Sequence, residues 1–458
     1  MLNEKQRTFN YIVYFIMFVF FAMQNILAIK NSVQNDFAVI ITFDIIGILS
    51  FINLTILTNK IDVFTIANLF FFIFLYFCGL NQYLQNFLAW EMYFGDILPS
   101  YYDYIHINSI IILFIIIMTI FYKCNVKFKT NNLKLRQRKI ETSYTSLTIL
   151  TCLNIFIFLI FLKVYGLNGL LSRHDANISI SNKSFALIVS ACLRLVPVST
   201  MIFLIINLSK DSISKYFIFY FINAIIVLVL VFPLGGTARY MIAATYLALA
   251  YPLIRLTKFK SIIILVILFG IVVIFPTINF FRFHSISEIK DLRIELLDVK
   301  SGDFDAYSMI MYIIKYADLN GFCFGKNFIT AFLFFIPRSL WPNKMIGTGA
   351  IIANSYQSTF TNMSAPFIAE SYFSLGVFGV FIGAMLFGLI IKFFDTTFLR
   401  ENLFLKMMSC SLFGMVLFIL RGDLLSSFSY TIGFALSSLI VFLIILIFCE
   451  RRENVNAY

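Results

Sequence analysis

Four arginines, Arg239, Arg282, Arg338 and Arg421, and one carboxylate, Glu370, stand at the edges of long apolar stretches. Arginine stays charged and grips phosphate oxygens in a two-pronged geometry, so four of them on one membrane face describe a site for an anion at headgroup depth. Taken singly, each is equally a headgroup contact. Glu370 comes about one turn after Ser364-Ala-Pro366, where a carboxylate serves either as a base towards a hydroxyl or as the partner of an arginine. In Phe232-Pro-Leu-Gly-Gly-Thr-Ala-Arg-Tyr240, Thr237 is placed to cap the helix that follows. Backbone N–H groups, helix dipole and Arg239 would then converge as they do on a phosphate, with a plain hairpin turn as the alternative. Pro337-Arg-Ser-Leu-Trp-Pro342 stiffens the backbone around Arg338 and sets Trp341 and Lys344 close to it, and Tyr372 follows Glu370 by two residues.

A second set of charges falls within apolar stretches, where each is costly and calls for a partner or a purpose. Asp44 and Arg194 are the clearest, read either as an ion pair with one another or as parts of a substrate or proton path. Asp303-Phe-Asp305 has the spacing of a metal-binding DxD, but no nucleotide fold accompanies it; Asp303 reads as a helix N-cap and Asp305 is left open. Seven cysteines without CxxC spacing and three scattered histidines (His106, His174, His284) give neither a disulfide framework nor a metal centre. No P-loop, GxGxxG, GxSxG or HExxH occurs, which disfavours an ATP-driven pump and a serine or zinc hydrolase.

The elements that must position these residues are membrane helices. Of 458 residues, 60% are hydrophobic and 13% charged, and the mean hydropathy is +0.91. Charges cluster between apolar stretches of roughly 18–25 residues, each able to cross a bilayer. Twelve spans are expected, at 11–29, 37–57, 63–80, 105–122, 143–164, 185–208, 216–232, 240–254, 261–280, 367–391, 403–420 and 431–449. Lysine and arginine concentrate on one side, including a run from Lys123 to Lys139, whereas the short loops of the other side carry only Lys30, Arg173, Lys183, Arg239 and Arg421. The positive-inside rule then puts both termini in the cytoplasm, and makes the formal charge of +12 a topology determinant that touches lipid, not nucleic acid. This gives an all-α polytopic protein of about twelve spans, divided as 1–280 (bundle), 281–366 (one large outer loop) and 367–458 (C-terminal spans). Within the loop, helical periodicity over 303–316 places Tyr307, Ile310, Met311 and Ile314 on one face, as for a helix lying on the outer membrane surface. The apolar 328–336 piece is too short to span; it dips into the leaflet or packs on the bundle. Trp90, Tyr93, Tyr101, Tyr102 and Tyr104 crowd the 81–104 loop and suit the membrane interface or sugar stacking.

The order Gly302-Asp-Phe-Asp-Ala-Tyr307, Phe324-Gly325, Phe335-Ile-Pro-Arg-Ser-Leu-Trp-Pro342 with Lys344, Glu370-Ser-Tyr372 and Gly376-Val-Phe-Gly379 resembles the oligosaccharide repeat-unit polymerases, the Wzy-type O-antigen polymerases. The likeness covers about 302–388, with Gly236-Thr-Ala-Arg239 and Arg421-Gly-Asp423 also similar. Lys344-Met345 and Ser374-Leu375 depart from the family's usual Lys-Pro and Asn-Phe. The resemblance implies a GT-C-like enzyme of the bacterial inner membrane acting at the periplasmic face. It would transfer a growing glycan from undecaprenyl diphosphate to the terminal hydroxyl of the next lipid-linked unit, without nucleotide, metal or redox cofactor. A chain-length-regulating co-polymerase is an implied partner. The roles implied are catalysis for Glu370, Arg338 and Arg239, and substrate contact for Arg282, Arg421, Lys344, Trp341, Arg194, Asp305 and Tyr372. The rival readings are a ligase moving finished glycan to another acceptor and a transporter or flippase working through Asp44 and Arg194.

Overall fold

The computed structural model describes residues 4–30, 36–57, 60–94, 99–125, 143–172, 193–234, 237–257, 259–284, 286–399 and 402–448. Most of the basic run up to Lys139, His174, the first third of the sixth expected span and Gly235-Gly236 lie outside them. The described residues are helical and contain no strand. In chain order the helices are α1 (Glu4–Lys30), α2 (Phe37–Thr55), α3 (Val63–Leu84), α4 (Tyr101–Lys123), α5 (Tyr144–Leu171), α6 (Leu195–Ile206), α7 (Lys210–Leu230), α8 (Arg239–Ile254), α9 (Lys260–Arg282), α10 (Ala306–Asn320), α11 (Lys326–Phe332), α12 (Thr348–Ser355), α13 (Phe367–Thr397), α14 (Leu403–Arg421) and α15 (Leu424–Ile447).

Nine of these are long and apolar enough to cross a membrane: α2–α5, α7, α9 and α13–α15. That is the architecture of a polytopic membrane protein. The remaining three expected spans correspond to α1, whose apolar stretch is Thr8–Met23, to α6, described over 12 residues, and to α8, of 16 residues.

Helix α3 is the axis of the bundle, buried on every side. A helix apolar all round has no polar face to show water or headgroups, so it belongs inside. It starts at a capping box in which Asp62 accepts from the Thr65 N–H at 2.8 Å, and it widens into a π segment over Phe71–Phe77. Its N-terminal N–H groups at Val63 and Phe64 donate to Asp395 of α13 at 2.9 and 3.3 Å, placing negative charge at the positive end of a helix dipole. Tyr122 of α4 donates to both Asp62 and Asp395, and Arg255 donates to the Ile61 and Asp395 carbonyls, so this end is tied by polar groups. Small residues set the closest packing. A Cβ at Gly414 of α14 would strike the Ala244 carbonyl of α8, and one at Gly388 of α13 would strike Met118 of α4.

Two expectations change here. Helix α10 is not a surface helix: Ala306 through Ile314 are buried on all faces, and Tyr307 packs on Phe43 while donating to Asn108 at 2.9 Å. Its Ser308 hydroxyl donates to Gln82 of α3 at 3.0 Å, and the helix is inserted among α3, α4, α12 and α13. The span at 367–391 is not continuous either. It breaks at Leu375–Gly376, where Gly376 has φ of +63°, leaving a short leading half-helix that carries Glu370. Of the glycines along this span, Gly388 meets another helix, whereas Gly379 and Gly383 meet Ser371 of that leading segment. The 328–336 piece packs on the bundle through α11, with Phe332 against Phe428 of α15.

Candidate functional site

The loop end of the bundle holds two polar networks joined by the α14–α15 turn. The first is built on the Asp303-Phe304-Asp305 turn. Phe304 is buried against Phe74 of α3 and Phe275 of α9, so the flanking carboxylates must emerge on either side of it. Asp303 receives both prongs of Arg239, Nη1 at 2.7 Å and Nη2 at 2.6 Å. Arg239 also donates to the Phe275 carbonyl at 3.2 Å and lies over the Phe275 ring. Asp305, 1% exposed, accepts from Arg421 at 2.9 Å, Trp90 Nε1 at 2.8 Å and Ser364 Oγ at 2.8 Å. Arg421 donates as well to the Gly302 carbonyl at 2.6 Å and covers the Tyr240 ring at 4.5 Å. Two arginines from two helix ends thus flank one tyrosine and one acidic turn.

Arg239 and Arg421 are therefore each matched by an internal carboxylate. Asp303 is not a helix N-cap: α10 begins after Asp305, and the Asp303 carboxylate is taken by Arg239. Nor does Thr237 cap α8. Ala238 stands at the N-cap without a side-chain hydrogen bond, and the Thr237 hydroxyl is buried without a partner among the described residues. The Arg239–Asp303 pair keeps some solvent contact, its side chains being 11% and 15% exposed.

The second network surrounds Glu370, 1% exposed. Its Oε2 accepts from Asn327 Nδ2 at 2.8 Å and Thr348 Oγ1 at 2.7 Å, and its Oε1 accepts from the Leu424 N–H at 3.0 Å. Asn327 also donates to the Glu370 carbonyl. No arginine touches this carboxylate among the described residues. Asp423 sits beside it, accepting from the Gly349 and Leu425 N–H groups at 3.2 and 3.0 Å. Burial pushes the Asp423 carboxyl above its ordinary range, and those N–H groups oppose the rise. Through the Leu424 N–H, Glu370 fixes the Arg421-Gly-Asp423 turn and with it the position of Arg421.

The remaining expected residues are dispersed. Arg338 is exposed and donates to the Lys344 carbonyl at 2.7 Å, which closes its own loop. Lys344 is buried, with its ammonium on the carbonyls of Leu333, Phe334 and Ile336 at 3.3, 2.6 and 2.9 Å; it caps the end of α11. Trp341 is half-buried, its backbone N–H bonded to the Pro337 carbonyl. Tyr372 points away from Glu370 and donates to Asp318 of α10 at 2.7 Å. Arg282 ends α9 with its guanidinium over Phe283 and belongs to no ion pair among the described residues. The Asp44–Arg194 pair does not form: Asp44 lies by Tyr76 of α3, whereas Arg194 packs on Phe161 and Tyr165 of α5.

Sequence reasoning missed Asn327, Thr348 and Ser364, because a lone amide or hydroxyl in a loop gives no pattern to read. Trp90 had a signal as one of two tryptophans, and its indole N–H turns out to be a ligand of Asp305. No known family model, curated protein or solved structure matches this chain.

Proposed function

We propose that the chain is a polymerase of lipid-diphosphate-linked oligosaccharides, working at the loop end of the bundle. The observation that carries the reading is the pair of guanidiniums, Arg239 and Arg421, gathered on the Asp303–Asp305 turn beside an uncapped helix start and an orphaned Thr237 hydroxyl. With Asp303 displaced, the cluster has the charge and the donors to hold a diphosphate. A glycosyl diphosphate is an activated donor, so catalysis needs cations for the leaving group and a base for the incoming hydroxyl.

In this mechanism the diphosphate displaces Asp303 from Arg239, while Asp305 keeps Arg421 in place. The acceptor hydroxyl attacks the anomeric carbon, the carbon–oxygen bond to the diphosphate breaks with its electrons, and the freed Asp303 carboxylate takes the proton. The anomeric centre inverts. Glu370 is a positioning residue, holding the turn that presents Arg421. Arg282 and Arg338 contact the outer part of the lipid-linked substrate, and the inner-membrane location and periplasmic orientation belong to the same proposal.

The test is in vitro polymerisation with purified protein and the host's undecaprenyl-diphosphate-linked repeat unit. A ladder of repeat multiples, abolished in Arg239→Ala and Asp303→Asn and only weakened in Arg338→Ala, supports the proposal. Transfer only after a core-lipid acceptor is added would make the chain a ligase. Movement of the intact lipid-linked unit between leaflets, with no product, would make it a transporter.

A further inference from the structure

Arg194 is 5% exposed in an apolar part of the bundle, and none of the ion pairs among the described residues includes it. Among the described residues its Nε is buried without an acceptor. Its guanidinium carbon lies 5.0 Å from the Phe161 ring centre and 5.6 Å from that of Tyr165, and Tyr430 of α15 is the other group that acts on its charge. Two aromatic faces answer the positive charge but give the guanidinium fork no acceptor oxygens. A methionine or leucine would fill the same space without leaving donors unmet, so packing alone does not account for an arginine.

The place is also interrupted. Helix α5 leaves helical geometry at Gly166, with φ of +66° and ψ of 169°, one residue after Tyr165. Broken helices at membrane depth are tolerated where they line a polar path or site. Phe161 and Tyr165 lie in the last turns of α5 and Arg194 directly precedes α6, so the guanidinium sits towards the loop end of these helices. It is the end at which Asp423 caps α15.

We infer that Arg194 anchors a phosphate-binding site between α5, α6 and α15 that takes the phosphate or diphosphate of a lipid from the loop-side leaflet. The fork of Arg194 meets the phosphate oxygens, Phe161 and Tyr165 shield the back of the guanidinium, and the lipid chain runs along the outside of the bundle. The inference needs a membrane-borne phosphate and does not rest on the polymerase reading.

The experiment measures binding of undecaprenyl diphosphate, phosphatidylglycerol and inorganic diphosphate to detergent-purified wild type, Arg194→Gln and Arg194→Lys by native mass spectrometry. The expected result is at least a tenfold loss of lipid phosphate affinity in Arg194→Gln with partial recovery in Arg194→Lys. Preference for undecaprenyl diphosphate identifies a prenyl carrier as the source; equal binding of phosphatidylglycerol identifies a bulk headgroup. Affinity within twofold of wild type in Arg194→Gln overturns the site. Should that variant not fold, photolabelling of the wild type with a benzophenone-bearing prenyl diphosphate decides. Label on residues 157–170 or 424–434 supports the site, and label confined to other segments overturns it. Because the readout is binding, a failed polymerisation assay leaves it unaffected.

Discussion

Asp305 is the residue on which the loop-end geometry turns, and removing its cation should show how strongly. With 1% exposure it sits in low dielectric, and its three donors come from three separate parts of the chain: Arg421, Trp90 and Ser364. Taking away one partner of a buried ion pair typically costs about 3–5 kcal/mol, because the other charge stays behind unmatched. Arg421→Gln should fall near the lower end, since the indole and the serine hydroxyl remain. Asp305→Asn keeps an acceptor for those donors and leaves Arg421 its Gly302 carbonyl, so it should cost roughly 1.5–3 kcal/mol as a lost charged hydrogen bond. The double variant should then be less damaging than the sum by about 2 kcal/mol, the coupling expected of residues within one network. Reversible unfolding in mixed micelles, titrated with SDS at pH 7, gives all three values. The Arg239/Asp303 cycle is the internal comparison. That pair is partly open to solvent, so its coupling should be smaller, on the order of 1 kcal/mol, despite its two-pronged geometry. Additivity within about 0.5 kcal/mol for Arg421/Asp305 would refute the reasoning, because it would mean that the pair is not coupled in the folded protein.

Glu370→Gln should destabilise by about 1–3 kcal/mol, since one of the two oxygens that meet Asn327, Thr348 and Leu424 becomes a donor facing a donor; the same titration reads it. Gly376→Ala should cost about 1–3 kcal/mol from backbone strain at φ of +63° and ψ of −146°, and a restored stability in Gly376→Asn would argue against strain as the cause. Asp423 gives a pH prediction. Its carboxyl is raised by burial, so between its unfolded and folded pKa values the native state binds more protons than the unfolded one. Its contribution is complete below the unfolded value and is lost as pH rises through the folded one. Asp423→Asn should flatten that fall in a series of thermal unfolding curves, and an unchanged slope would place the titration elsewhere.

What could be read from the sequence, and what could not, follows from the same energetics. Charges in apolar segments are costly enough to mark Arg239, Arg421 and Glu370 as residues with business at the loop end, and the structure does bring them to one end of the bundle. Periodicity and length placed the long spans closely, since crossing a bilayer needs a fixed run of apolar residues. Partners were another matter. Arg421 meets Asp305 across 116 residues and Arg239 meets Asp303 across 64, and nothing local distinguishes those carboxylates from a metal pair or a helix cap. Likewise α10 reads as amphipathic because Tyr307, Ile310, Met311 and Ile314 share one face, yet Ser308 off that face is bonded to Gln82 of α3 inside the core. A hydrogen-bonded polar residue and a solvated one look the same in sequence. The arginines show the consequence for function: four looked equally free, but two are held by carboxylates and one closes its own loop, whereas Arg194, read either as half of an ion pair or as part of a substrate or proton path, is the one buried among rings without a carboxylate among the described residues. Positive charge that the fold has already neutralised can bind a phosphate only by exchanging partners, whereas Arg194 has no carboxylate to give up among the described residues. An anion should therefore be able to reach Arg194 without first breaking a pair, and competition by added diphosphate should be seen there at lower concentration than at Arg239.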